Sequence, residues 1–238
     1  MRKAGSILAK ALKLAKEITK PELTTIELDN QLTRFVIENG GEMAFKGYRG
    51  FPANICVSIN EELVHGIPGP RKIRAGDIVS IDIGVRYKNY YADAAITIGV
   101  GQISPKAREI INVTKEVLEI GISKIKPGVH LFELSAAIQD FVESRGFSVV
   151  RQYVGHGIGS QMHEDPQVPN YRISPEEQTD VTLKQGMVLA IEPMVNEGTY
   201  DVETLSNNWT VVTSDRKLSA HFEHTVAVTP EGYDILTA

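Results

Sequence analysis

The stretch IDIGVRYKNYYADAA, Ile81 to Ala95, reads as two strands joined by a tight turn, with an aspartate on each side. A turn centred between Tyr87 and Lys88 sets Asp82 directly opposite Asp93. Facing residues of an antiparallel pair have Cβ atoms about 5 Å apart, and two carboxylates there repel by about 3 kcal/mol at an effective dielectric near 20. On this stretch alone, Val79, Ile81, Ile83 and Val85 alternate with Ser80, Asp82 and Gly84 as on a half-solvated strand, and both acids face water. The rest of the chain reverses that reading.

An internal repeat decides the fold. A helix runs to about Thr19 and breaks at Pro21; a second starts at a capping box of Thr24 and Glu27 and ends at Gly40. Another helical pair starts at Ser104 and Pro105, breaks at Pro127-Gly128 and ends at Gly146. Sliding residues 20–41 by 106 positions matches Lys20, Pro21, Glu27, Leu28, Phe35, Val36 and Gly40 with Lys126, Pro127, Glu133, Leu134, Phe141, Val142 and Gly146. Identities that include the helix break and the cap exceed what a shared helical pattern gives, so the chain reads as a duplication.

The strands after each helical pair correspond as well. KIRAGDIVSIDIGV (72–85) lies over TLKQGMVLAIEPMV (182–195) and pairs Asp82 with Glu192. YADAAITI (91–98) lies over HFEHTVAV (221–228) and pairs Asp93 with Glu223, while His65 and His156 each open an HGI triplet. Two helix-helix-strand-strand halves, about 1–103 and 104–238, predict one α+β domain across a pseudo-twofold axis. Its curved sheet, mixed or antiparallel, carries the helices outside. Insertions around PGPRK and SNNWTVVTSDRK are expected as rim loops.

Glu192 has apolar neighbours on both faces in GMVLAIEPMV, which a solvated strand would not show. The first hairpin's acidic face adds only Ser80, Gly84, Ala95 and Thr97, small residues that leave room around the acids. Four buried carboxylates cannot all stay ionised without compensation. Two divalent cations balance Asp82, Asp93, Glu192 and Glu223, and a bridging hydroxide leaves one negative charge. His156, among glycines in VGHGIGSQMHEDP, is the candidate imidazole ligand, its neighbours permitting close backbone approach and unusual dihedrals. Metals about 3.5 to 4 Å apart suit hydrolysis, and an oxygen-rich set leans toward Mn²⁺, Fe²⁺ or Co²⁺, with Zn²⁺ also admitted.

Composition sets the frame for that chemistry. The 238 residues, 42% hydrophobic, suffice for a sizeable core, and a net charge of −5 gives no global nucleic-acid footprint. The single cysteine, Cys56, excludes an intramolecular disulfide framework and makes the cytoplasm the expected compartment. MRKAGSILAKALKLAKEITK spaces its apolar residues as an amphipathic helix, with neither a signal core nor a membrane span.

NICVSINEELVHGIP, DIVSIDIGVRYKNYYADAA, VGHGIGSQMHEDPQVPNY, GMVLAIEPMV and WTVVTSDRKLSAHFEHTVAVT resemble the motifs of the type I methionine aminopeptidases over essentially the whole chain. The resemblance implies the pita-bread fold of the M24 peptidases and removal of the initiator methionine from nascent polypeptides with a small second residue. It implies one metal on Asp82, Asp93 and Glu223 and another on Asp93, His156, Glu192 and Glu223, with a bridging hydroxide attacking the polarised scissile carbonyl. Glu192 becomes the proton shuttle, His163 the oxyanion donor, and His65 a contact to the scissile amide or the next residue. The methionine pocket falls to Phe45, Tyr48, Phe51, Cys56, Met162 and Trp209, and a monovalent cation to the neighbourhood of Asn60 and Ser219. A monomer with transient ribosome contact and no membrane association is expected. Phe45, Ser160, Gln161 and Met162 depart from the usual pattern of bacterial relatives, which leaves the pocket's shape open.

Without the resemblance Trp209 is a rim or core aromatic and Cys56 a structural thiol rather than a nucleophile. His130 and His224 read as surface or packing residues, and His221 stands between packing and support of a ligand. A proline-specific peptidase of the same fold shares the ligands but carries a further N-terminal domain, whereas about 70 residues precede the first metal strand here. A binding protein of this fold without catalysis would show degraded ligands.

Overall fold

The computed structural model describes residues 1–174, 176 and 179–238. Helices α1 (Arg2–Ile18) and α2 (Thr25–Glu38) come first, then strands β1 (Glu42–Met43), β2 (Cys56–Ile59), β3 (Glu62–Val64), β4 (Ile78–Tyr87) and β5 (Tyr90–Gly99). The second half also opens with two helices, α3 (Pro105–Ser123) and α4 (Leu131–Glu143). It continues through β6 (Ser148–Val149), β7 (Gly155–Gly157), β8 (Glu164–Val168), β9 (Val188–Ile191) and β10 (Met194–Asn196). Strands β11 (Val202–Thr204), β12 (Val211–Thr213), β13 (Ser219–His221), β14 (His224–Val228) and β15 (Tyr233–Ile235) close it.

The helices begin and end where the sequence places them. Ala4, Ile7, Leu8, Ala11, Leu12 and Ala15 recur three and four apart, and this buried stripe packs α1 on β4 and β5. Each fully buried Leu or Ile there contributes ~1.5–3 kcal/mol relative to exposure. The α2 capping box is complete: Glu27 N–H donates to Thr24 Oγ1 (3.3 Å) and Thr24 N–H to Glu27 Oε2 (2.8 Å). Ser104 Oγ caps α3 by accepting from Ala107 N–H at 3.0 Å, with Pro105 in the first turn.

Among the described residues every ladder is antiparallel, which settles the expected sheet type. Strand β4 pairs with β5 on one edge and with β1 and β2 on the other. The second half contributes a five-stranded ladder, β15-β14-β9-β7-β8, and a shorter one, β13-β10-β6. Val79, Ile81, Ile83 and Val85 of β4 are fully buried in the core beneath the helices. The alternation read from the sequence is therefore real, but its polar face, Ser80, Asp82 and Gly84, lies on the other side of the sheet, where Asp82 lines a cavity rather than meeting bulk solvent.

Two expectations need correction. The hairpin loop is Lys88-Asn89, both left-handed (φ 47° and 67°), so the turn sits one residue later than expected. Such a two-residue loop follows the twist of its strands, as splayed alternatives do not. Asp82 consequently faces Ala95, and Asp93 faces Gly84. A register shift of two keeps both acids on one face as diagonal neighbours, and their carboxyl groups still meet, the charge of Asp82 helping to raise Asp93. The second correction concerns SNNWTVVTSDRK, which is not only a loop: Val211–Thr213 forms β12, paired between β11 and β3. That pairing ties an insertion of the second half onto the first. No helix among the described residues is long and apolar enough to cross a membrane.

Candidate metal centre

The two halves are joined along one edge of β5. Asp93 N–H donates to Thr225 Oγ1 (2.9 Å), and the same hydroxyl donates to the Asp93 carbonyl (2.8 Å). Glu223 N–H donates to the Ala95 carbonyl at 2.9 Å, and Thr97 Oγ1 exchanges hydrogen bonds with the His221 backbone at 2.8 and 2.9 Å. These rungs bring Asp93 and Glu223 to one place although 130 residues separate them in the chain. His156 joins them, one ligand atom of each lying within 4.8 Å of the others.

His156 arrives on β7, which pairs with both β8 and β9. A Cβ on Gly155 would lie 2.3 Å from the Ala190 carbonyl oxygen, and one on Gly157 would lie 2.2 Å from that of Asp165. These glycines serve close approach alone; neither has a left-handed φ, contrary to the expectation of unusual dihedrals. His156 Nδ1 donates to the Gly157 carbonyl at 2.8 Å, which fixes the tautomer and frees Nε2 as a donor atom, 3.6 Å from Glu192 Oε1. Glu192 sits just past the end of β9, its carbonyl accepting from Asn170 Nδ2 at 3.1 Å.

Burial dominates the electrostatics. It pushes the Asp82 carboxyl up to about 7. Asp93, Glu192 and Glu223 are driven well above the ordinary carboxylate range, first by burial and then by one another: by Glu223 at Asp93, by Asp93 at Glu192, and by Glu192 at Glu223. One buried oxygen each of Asp82, Asp93 and Glu223 has no hydrogen-bond partner among the described residues. Ionised carboxylates offer acceptors only, and the one Lys or Arg on the cavity wall, Arg49, is exposed to solvent. Orphaned oxygens beside a free imidazole nitrogen make a donor set that fits divalent cations.

The acids form one end of a cavity of about 240 Å³. Its apolar wall is a separate cluster in which Phe45, Phe51, Cys56 and Met162 are buried and Tyr48 and Trp209 pack against them. The Phe51 ring meets Trp209 edge-on at 5.1 Å and Phe45 at 6.5 Å. Gly84, opposite Asp93, admits Phe45, because a Cβ there would lie 2.5 Å from its ring. His163 hydrogen-bonds Tyr48 Oη through Nδ1 at 2.8 Å, and its ring centre is 4.1 Å from that of His156. Its pKa is lowered by desolvation and then by the positive potential of His156 and Arg49. His65 adopts φ 58° and is pushed down to about 4 by burial. Such backbone strain in a residue with a side chain clusters at functional sites.

A model of metallopeptidase family M24 matches residues 1–230. The chain belongs to metallopeptidase family M24. It is 53% identical over its whole length to methionine aminopeptidase 1 of Bacillus subtilis, covering 94% of that protein. The crystal structure of methionine aminopeptidase from Thermotoga maritima superposes with a TM-score of 0.96 at 46% identity, covering all of this chain and 94% of that one. A prolidase from Pyrococcus horikoshii shares the fold at a TM-score of 0.79 and 25% identity; this chain is fully covered but spans only 60% of the prolidase. The expected α+β pita-bread fold is thus found, and with it a place among the methionine aminopeptidases.

In this M24 chain all the expected ligands line the cavity, as do His65, His163, Phe45, Tyr48, Phe51, Cys56 and Trp209. Met162 is not among the residues lining the cavity but belongs to the buried cluster of its apolar wall, and Met194 of β10 lines the cavity as well. Cys56 is buried opposite Asp82, and burial, with the charge of Asp82 second, pushes its thiol up, away from nucleophilic use. His221, left open between two roles, is buried with Nε2 3.8 Å from Glu192 Oε2. His130 pairs with Asp180 at the surface and His224 Nδ1 contacts Thr237 Oγ1, both away from the cavity. Asn60 and Ser219 meet through a backbone hydrogen bond of 2.9 Å. Sequence reading misses Tyr153 and Arg49; the left-handed backbone at Arg49 (φ 49°) has no signal in the residue type.

Proposed function

We propose that this M24 chain removes the N-terminal methionine from nascent polypeptides with a small second residue. The observation that carries this reading is one cavity with an acid-and-imidazole cluster at one end and a pocket of aromatic and sulfur-bearing side chains beside it. An unbranched thioether suits such a wall. Two divalent cations, Co²⁺, Mn²⁺, Fe²⁺ or Zn²⁺, held by Asp82, Asp93, His156, Glu192 and Glu223, would offset the acids, polarise the scissile carbonyl and acidify a bound water.

The chain's own groups then divide the work. Phe45, Tyr48, Phe51, Cys56 and Trp209 enclose the methionine side chain, with Met162 completing their cluster. Glu192, buried at the acidic end, accepts the attacking water's proton on a carboxylate oxygen and returns it to the leaving amine. Tyr48 Oη donates to His163 Nδ1, so the ring proton sits on Nε2 and stabilises the carbonyl oxygen as negative charge develops. A neutral imidazole suits that role, consistent with the lowered pKa. His65 holds the amide beyond the scissile bond.

The whole chain acts as one catalytic unit made of duplicated halves, about 1–103 and 104–238. Paired geometry supports this: Gly76 N–H donates to the Val100 carbonyl at 2.8 Å, and Gly186 N–H to that of Val228 at 3.0 Å. A monovalent cation near Asn60 and Ser219, a monomeric state, the cytoplasm and transient ribosome contact belong to the same reading. The test is hydrolysis of Met-Ala-Ser against an Xaa-Pro peptide by metal-loaded protein. Release of methionine from the first, with little cleavage of the second, is expected; preferential Xaa-Pro cleavage would assign the prolidase-like activity instead.

A further inference from the structure

Arg49 is unlike the other residues on the cavity wall. It is the only Lys or Arg there, it is exposed, and among the described residues it has no ion-pair partner. Its guanidinium lies 5.5 Å from the centre of the Tyr48 ring, and Tyr48 is the residue that hydrogen-bonds His163. The backbone holds it in a left-handed conformation, φ 49° and ψ 18°, between Gly47 (φ 85°) and Gly50 (φ 91°). This tight turn fixes the backbone from which the side chain leaves.

The position fits the substrate's path. With methionine enclosed by the aromatic cluster and its carbonyl near His163, the rest of the peptide leaves through the cavity mouth. In an extended chain the side chains of residues one and three point to the same side. The third side chain therefore leaves on the side of the methionine wall, whose rim carries Arg49. The second side chain points the other way. The four acids lie at the buried end, so the charge met at the mouth is the guanidinium. Its planar fork pairs with a carboxylate and repels an ammonium.

We propose that Arg49 is a specificity residue that selects substrates by charge, favouring peptides with an acidic third residue over those with a basic one. This rests on the aminopeptidase reading above. The test compares kcat/KM for Met-Ala-Asp-Gly-amide, Met-Ala-Asn-Gly-amide and Met-Ala-Lys-Gly-amide, the amide removing any C-terminal carboxylate. An exposed pair supports a preference for Asp over Lys of about five-fold at low ionic strength, shrinking toward one at high salt. Arg49→Lys should keep the preference, Arg49→Gln should bring the ratio near one, and Arg49→Glu should invert it. A ratio that Arg49→Gln and Arg49→Glu leave unchanged, or no preference in the wild type, overturns the proposal alone. Failure of the wild type to release methionine from the Asn peptide overturns the aminopeptidase reading and this proposal with it.

Discussion

Asp82 and Asp93 project from within two ten-residue strands joined by a two-residue turn, whereas Glu192 and Glu223 sit just outside the ends of β9 and β14, strands of four and five residues. The first half thus presents short acids from inside a long ladder, which β1, β2 and α1 hold from the other edge and from behind. The second presents longer acids at strand breaks, where other groups must hold the backbone. Asn170 fastens the Glu192 carbonyl, and Ala95, from the first half, fastens Glu223. The difference shows where the site depends on contacts between the halves. The hairpin sets the positions of two acids, and the second half is drawn onto its edge to supply the others.

Replacing a residue at that seam should have the largest effect. Asp93→Ala should lower kcat/KM for Met-Ala-Ser more than about 100-fold and leave little bound metal after gel filtration, since losses of ligand support alone cost 10–100-fold. Asp82→Ala, on β4 and not itself bonded across the seam, should retain part of the metal. Equal metal content in the two variants would break the distinction drawn between a seam acid and a hairpin acid.

The acids also make a pH prediction with a definite sign. Their folded-state pKa values are raised, so the folded chain binds more protons than the unfolded one between the ordinary carboxylate range and about 7, where Asp82 titrates. Stability of the metal-free protein should therefore be fully present below about pH 4 as far as these groups are concerned, and fall as pH rises to 7, by at most about 1.4 kcal/mol per pH unit for each acid. Divalent cations should flatten that slope. Melting temperatures from pH 5 to 7.5, with EDTA or with Mn²⁺, read both effects.

Smaller changes sharpen the same contrast. Thr225→Val leaves the buried Asp93 N–H without its acceptor and removes a seam rung, so it should cost about 1–3 kcal/mol in denaturant unfolding. Asn89→Gly, at φ 67° in the hairpin loop, should change stability by no more than about 1 kcal/mol and leave metal binding intact, because the long β4–β5 ladder fixes the register.

Much of this organisation is legible in the sequence, and the exceptions have physical reasons. Helix breaks and caps are local chemistry, so Pro21, Thr24, Glu27, Ser104 and Gly146 mark them directly. The equivalence of Asp82 with Glu192 and of Asp93 with Glu223 needs only the repeat. The hairpin register differs by two positions from the sequence expectation because the loop is Lys88-Asn89, left-handed at both residues, a turn that follows the strand twist and that Asn tolerates, while Lys88 gives no turn signal of its own. The alternation around Asp82 is legible, but not whether its polar face meets water or a cavity, since that depends on the second half closing over it. Met194 carries no sequence signal as a pocket residue for the same reason: it reaches the cavity from β10, a strand of the second half.

Metal binding at the seam between the two halves is tested most directly by anomalous diffraction from crystals of the Mn²⁺-loaded protein. The predicted result is an anomalous peak coordinated by Asp93, His156 and Glu223, with Glu192 in reach, and its loss in Asp93→Ala. Anomalous scatterers found only at surface acids, with these three side chains uncoordinated and methionine still released, would contradict it.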